Sequence, residues 1–205
     1  MGNDASTGNR MGISAMALTT PNINATTLTQ LTTKMKQVAE ASGLTELVTK
    51  TELEEALKTV ETFDDSDSEL FRAAFTMFDN AGENQINFKE FIAGMAGCLL
   101  NDSIKEKLVL ACKLYDTDAT GQLARGDFKK VLYAINNTAS YFGDAVLTPE
   151  AIDGALVDTF NAVGDACNST TPLLSARIQD FVDHLAEHRQ VENFSTGKGL
   201  VRFGR

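Results

Sequence analysis

Two segments of the chain repeat each other at a constant offset, and this repeat constrains the fold more than any other feature. Phe78 to Phe91 reads FDNAGENQINFKEF, and Tyr115 to Phe128 reads YDTDATGQLARGDF. In that register Asp79 lies over Asp116, Ile86 over Leu123, Glu90 over Asp127 and Phe91 over Phe128. The flanking residues keep the offset. Phe71, Ala74, Phe75 and Phe78 fall at i, i+3, i+4 and i+7, the spacing of one helix face. Leu108, Ala111, Cys112 and Tyr115 fall at the matching places, and beyond the loops Met95 matches Leu132. A repeated helix–loop–helix cannot bury its apolar face alone, so the pattern predicts an all-α fold of paired units.

The residues between the helices have a chemistry of their own. A twelve-residue EF-hand loop takes oxygens from positions 1, 3 and 5, a backbone carbonyl from 7, often a water at 9 and a carboxylate from 12, with Gly at 6 for the turn. In the second segment Asp116, Asp118, Thr120, Gly121, Gln122 and Asp127 occupy positions 1, 3, 5, 6, 7 and 12, and Leu123 brings an apolar side chain to position 8. This loop is the better candidate for Ca²⁺. Ala124 gives position 9 nothing with which to hold water. Asp127 is shorter than the usual Glu and reaches an ion less readily with both oxygens, which lets Mg²⁺ compete at the same loop. In the first segment Asp79, Glu83, Gln85 and Glu90 are the candidate ligands. There Ala81 removes the oxygen at position 3, and Asn84 replaces the turn glycine at position 6.

Loops of this kind come in pairs, so each of the two needs a neighbour. Upstream, LTELVTKTELEEAL places Val48 and Glu52 at positions 8 and 12 of a loop beginning near Ala41, with Leu53 and Leu57 on the exiting helix. Ala41, Gly43 and Thr45 stand at its ligand positions, so no metal is expected there. Downstream, PEAIDGALVDTFNAV predicts a helix capped by Thr148, with Pro149 in its first turn and Ile152, Leu156, Phe160 and Val163 on its buried face. The segment GDACNSTTPLLSARIQDF then forms a fourth loop, read as longer than twelve residues and without metal. The fold expected is four helix–loop–helix units in two paired lobes, calmodulin-like, with polar tails. The boundaries are 1–26 for an N-terminal tail, 27–100 for the first pair, 101–188 for the second and 189–205 for a basic C-terminal tail with Phe194, Leu200, Val201 and Phe203 as anchors.

Composition narrows the partners. The chain has 205 residues, 43% of them hydrophobic, enough for a core in one domain or two small lobes. Its net charge of −10 argues against nucleic acid, whose phosphates need a basic patch. Cys98, Cys112 and Cys167 lack metal-ligand spacing and are expected to be reduced thiols inside a cell. No apolar run is long enough to span a membrane, and MGNDASTGNR lacks the apolar stretch of a secretory signal. The opening MGNDAS does fit an N-myristoylation pattern at Gly2, with Ser6 in place, and membrane contact would follow only from that acylation. Arg10 is the one base nearby, so a second membrane signal is missing. His184 and His188 sit four apart on the last helix without a third ligand, and both are expected to be solvated. No nucleophile elbow, phosphate-binding glycine loop or HExxH motif is present, so the chain is expected to be non-catalytic.

The run from Phe78 to Leu132, with its Phe-Asp and Tyr-Asp loop starts, the Lys105-Glu106-Lys107 opening of the next helix and the long link before the fourth unit, resembles calaxin and related EF-hand subunits of the outer-dynein-arm docking complex. It is similar, more distantly, to neuronal calcium sensors and the calcineurin regulatory subunit. The resemblance implies a cytoplasmic, cytoskeletal protein of the ciliary or flagellar axoneme whose groove clamps an amphipathic helix or coiled coil. The dynein docking complex or the doublet microtubule would be its partner, and calcium would tune the contact. It also implies metal positions at Asp116, Asp118, Thr120, Gln122 and Asp127. Its alternatives are a calcium-dependent regulatory subunit of a phosphatase and a myristoylated membrane-associated calcium sensor.

Overall fold

The computed structural model describes residues 22–100, 102–141, 146–188 and 191. Gly2, Ser6, Arg10 and the C-terminal anchors Phe194, Leu200, Val201 and Phe203 lie outside the described residues. Among the described residues four helix–loop–helix units follow one another, each with a three-residue strand in its loop. The first is α1 (Ala25–Ala41), β1 (Leu47–Thr49) and α2 (Lys50–Lys58), and the second is α3 (Asp65–Phe78), β2 (Gln85–Asn87) and α4 (Phe88–Leu99). The third is α5 (Ile104–Lys113), β3 (Gln122–Ala124) and α6 (Arg125–Tyr141), and the fourth is α7 (Pro149–Ala166), β4 (Ser175–Arg177) and α8 (Ile178–Glu187). No helix among the described residues is long and apolar enough to cross a membrane.

The helices begin where side chains can satisfy their first amides. Asn24 caps α1 by accepting from the N–H groups of Thr26 and Thr27, and Thr27 Oγ1 accepts the Asn24 N–H in return. Helix formation therefore starts before residue 27, the boundary set from composition, and Ile23 ahead of the cap is buried. Ser103 and Glu106 make the same reciprocal cap on α5, and Thr148 with Pro149 opens α7. The loops close in antiparallel pairs. Val48 faces Ile86 between β1 and β2, and Leu123 faces Ala176 between β3 and β4, with all four side chains buried. Position 8 of each loop thus points into the core.

The expected over-long fourth loop is corrected by the helix ends. The spacing from Ala166 to Ile178 equals that from Lys113 to Arg125. The extra residues are helical instead. α7 continues through Gly164 and Asp165, and the Cys167 N–H still bonds to the carbonyls of Val163 and Gly164 at 3.1 and 3.2 Å.

Each pair has an aromatic centre. Phe128 stacks on Phe181 with ring centroids 3.8 Å apart, and Phe160 packs against both. Phe91 contacts Phe71 and Phe78 in the first pair. The two pairs are not separate lobes, because one buried cluster runs from Ile23 to Val191. The join is α4 against α6, and two glycines set its distance. A β-carbon at Gly94 would lie 2.0 Å from Thr138 Oγ1 and 2.9 Å from the Ala134 carbonyl oxygen, and one at Gly97 would lie 2.6 Å from Ile135 Cγ1. Phe78 adds an edge-on contact with Tyr141 at 5.6 Å. Gly94→Ala is expected to destabilise the protein by about 1–3 kcal/mol through overpacking against α6. Urea midpoints measure this, and an unchanged midpoint would contradict the close approach.

Candidate metal centre

The third loop gathers its first three ligand positions. The Asp116 carboxylate accepts from the Thr120 N–H through Oδ1 and from the Gly121 N–H through Oδ2, both at 2.9 Å. The Thr120 hydroxyl lies 3.3 Å from Asp116 Oδ1 and 3.1 Å from Asp118 Oδ1. That hydroxyl and the neighbouring backbone amides hold the Asp118 carboxyl below the usual carboxylate range. The turn that makes this possible needs left-handed backbone twice, at Ala119 with φ 55° and at Gly121 with φ 73°. Gln122 lies in β3, where its backbone pairs with Arg177. Asp127 does not join the group. It sits in the first turn of α6, and its Oδ1 is ion-paired to Lys130 Nζ at 2.9 Å.

The second loop repeats the closure without the ligands. Asp79 accepts from the N–H groups of Glu83 and Asn84 at 2.9 Å each, over left-handed residues Gly82 and Asn84. Ala81 supplies no side-chain oxygen, Glu83 is exposed, and Gln85 is held in β2 opposite Thr49. Glu90 stands in the first turn of α4, with its N–H bonded to Asn87 Oδ1 at 3.2 Å. Among the described residues no three His, Cys, Asp or Glu side chains converge as a metal cage. The set Asp116, Asp118 and Thr120 is nonetheless all hard oxygen over a tight turn, which suits Ca²⁺ or Mg²⁺ and not a thiol- or imidazole-seeking ion. These residues fit a divalent cation in part, and the missing part is Asp127.

The other two loops are closed by hydrogen bonds. Glu52, at position 12 of the first loop, accepts from the Ser42 hydroxyl, the Thr49 N–H and the Thr49 hydroxyl. In the fourth loop the Ser169 hydroxyl donates to the Thr171 carbonyl at 2.8 Å. A carboxylate that the sequence pattern alone did not single out stands at the twelfth register of this loop. Asp180 follows Ala176 as Asp127 follows Leu123, and it lies 3.6 Å from Arg177. The acid-Phe pairs Glu90-Phe91, Asp127-Phe128 and Asp180-Phe181 carried that signal.

The histidines differ from the solvated pair expected. His184 Nδ1 contacts the Asp180 carbonyl oxygen at 2.8 Å, and His188 Nε2 contacts Asp158 Oδ2 at 3.3 Å. Both rings are half-buried. Cys98 and Cys112 are buried, while Cys167 is exposed. Burial pushes the Cys112 thiol well above its ordinary pKa, which suits a packing role.

Glu52 gives the first loop a pH dependence. Burial opposes its ionisation, but the bonds from Ser42 and Thr49 outweigh it and leave the pKa lowered. Its contribution is present above the ordinary glutamate pKa and is lost as pH falls through the lowered folded value. Glu52→Gln is expected to destabilise by about 0.3–1.5 kcal/mol near pH 7. The difference should shrink at an acidic pH below that lowered folded value, where the native carboxyl is protonated too. Urea midpoints at both pH values measure it, and a pH-independent difference would contradict the assignment.

Comparison with known proteins places the similarity in part of the chain. No protein-family model matches the chain. Over 63 residues, 31% of the chain, it is 35% identical to calcineurin B of Naegleria gruberi, of which that stretch is 36%. Over 68 residues it is 29% identical to calcium-binding protein NCSA of Dictyostelium discoideum, again 36% of that protein. A stretch of 68 residues is also 34% identical to human lysophosphatidylcholine acyltransferase 2, but covers only 12% of it. The matched stretch therefore spans about a third of the length of the first of these relatives.

Proposed function

We propose that the chain is a non-catalytic, EF-hand calcium-binding regulatory protein that acts on a protein partner. In this reading all four helix–loop–helix units are EF-hands, and the third is the one equipped for a divalent cation. The observation that carries the reading is the convergence of Asp116, Asp118 and Thr120 over the Gly121 turn, in a loop tied by strand pairing to its neighbour. Similarity to calcineurin B and to a calcium-binding protein supports it independently. The acyltransferase likeness covers too little of that enzyme to bring its chemistry here. When bound, calcium would draw Asp116, Asp118, Thr120 and the Gln122 carbonyl onto one centre, with Asp127 closing the loop from α6.

Two finer readings name the partner. Likeness to calcineurin B favours a regulatory subunit that acts in calcium on an enzyme partner. The loop starts Phe78-Asp79 and Tyr115-Asp116 and the Lys105-Glu106-Lys107 helix start favour an axonemal subunit of the dynein docking complex, placed at the cytoskeleton of a cilium or flagellum. Affinity capture in calcium and in chelator separates them. A catalytic partner retained only in calcium supports the first, and tubulin or dynein retained in both supports the second. A membrane role is a further branch, and intact Met1 by mass spectrometry would remove it.

Asp116→Ala is expected to abolish most calcium binding at the third loop while leaving the helical content unchanged. Isothermal titration and far-UV circular dichroism measure the two. Unchanged binding in that variant would place the site elsewhere.

A further inference from the structure

Asp127, the twelfth residue of the third loop, is ion-paired to Lys130. The Lys130 ammonium lies 2.9 Å from Asp127 Oδ1, three residues on along α6. The same ammonium lies 6.0 Å from the centre of the Tyr115 ring, the residue directly before Asp116. Lys89 approaches that ring at 5.7 Å and is itself bonded to Glu46 at 2.8 Å. The first pair of units thus contributes Glu46, Lys89 and Glu90 to the neighbourhood of the third loop. Glu90 and Lys130 line one open cleft between α4 and α6, together with Gly126, Lys129 and Tyr133.

Electrostatics give this arrangement a direction. A carboxylate at position 12 is needed by a divalent ion and is here already neutralised by a monovalent one on a flexible stem. Both cannot hold the same oxygen. The lysine has somewhere to go, because Glu90 lines the same cleft. Release of Lys130 therefore leaves no buried, unpaired cation. We propose that Lys130 is a tethered counter-cation that occupies Asp127 in the absence of a divalent ion and sets the affinity of the third loop by competing for that carboxylate.

The proposal rests on calcium binding at the third loop, and its test keeps the two claims apart. The full chain is titrated with calcium by calorimetry as wild type, Lys130→Met, Lys130→Arg and Asp116→Ala, with helicity checked in each. Lys130→Met keeps the aliphatic stem, removes the charge and is expected to tighten binding about two- to fivefold, the effect of losing one exposed competing ion pair. Lys130→Arg should bind as wild type does. Calcium binding by Lys130→Met alone, with none in wild type, would support the same device in a stronger form. Wild-type binding that is lost in Asp116→Ala but is unchanged or weaker in Lys130→Met would overturn the role of Lys130 and leave the functional reading standing. Binding by neither wild type nor Lys130→Met would overturn both.

Discussion

Each of the four described loops within the helix–loop–helix units is fastened to another by three residues of antiparallel pairing, and the remaining structure depends on that contact. Val48 against Ile86 and Leu123 against Ala176 place the middle of every loop in the core. The ladders extend beyond the strands: the N–H groups of Arg125 and Ile178 bond to the carbonyls of Leu174 and Gly121, each at 2.9 Å, and that of Phe88 to the Glu46 carbonyl at 3.0 Å. An isolated two-stranded piece this short is not stable in water, so it persists because helices cover its apolar side. In return it fixes where each exiting helix starts. The position of Asp127 relative to Asp116 is therefore set by a strand that is paired with the fourth unit, and a cation in the third loop would act on two units at once.

The second constraint is the approach of α4 to α6. Gly94 and Gly97 remove the side chains that would hold these helices apart, and Thr138 meets its hydrogen-bonding need within its own helix by donating to the Ala134 carbonyl at 2.8 Å. Close contact brings α4 and its Glu90 to the face of α6 that carries Lys130. The merged core gives the charged cluster around Tyr115 a fixed frame. Without the glycines, charges from the first pair would not stand beside the third loop.

Much of this was legible in the residues. Period and offset sufficed for the helix faces, because Phe71, Ala74, Leu108 and Ala111 recur at helical spacing and all are buried. Val48, Ile86 and Leu123 were readable as the eighth residues of loops because ligand-type residues flank them at fixed distances. Side-chain direction was not readable. Whether Asp127 turns to the loop or to Lys130 depends on which cation is nearest, and that is a property of three dimensions. The merging of the two pairs was hidden for a related reason: nothing local about Gly94 tells that Thr138 will lie against it. The length of α7 was misjudged because Gly164 is a weak helix former by propensity, while the packed helix carries it through to Ala166. Asp180 was readable from its acid-Phe pair, whereas the His188 contact with Asp158 needed the crossing of α7 and α8.

On the proposed reading the third of the four described loops responds to a divalent cation, while the first is closed by its own hydrogen bonds. Residue-resolved amide NMR during a calcium titration of the full chain tests this contrast directly. Amides from Thr117 to Ala124 are expected to shift at the lowest calcium concentrations, followed by Ala176 across the strand pair, while those from Ser42 to Val48 stay in place. Shifts confined to the first loop, or none in the third at any concentration, would contradict it.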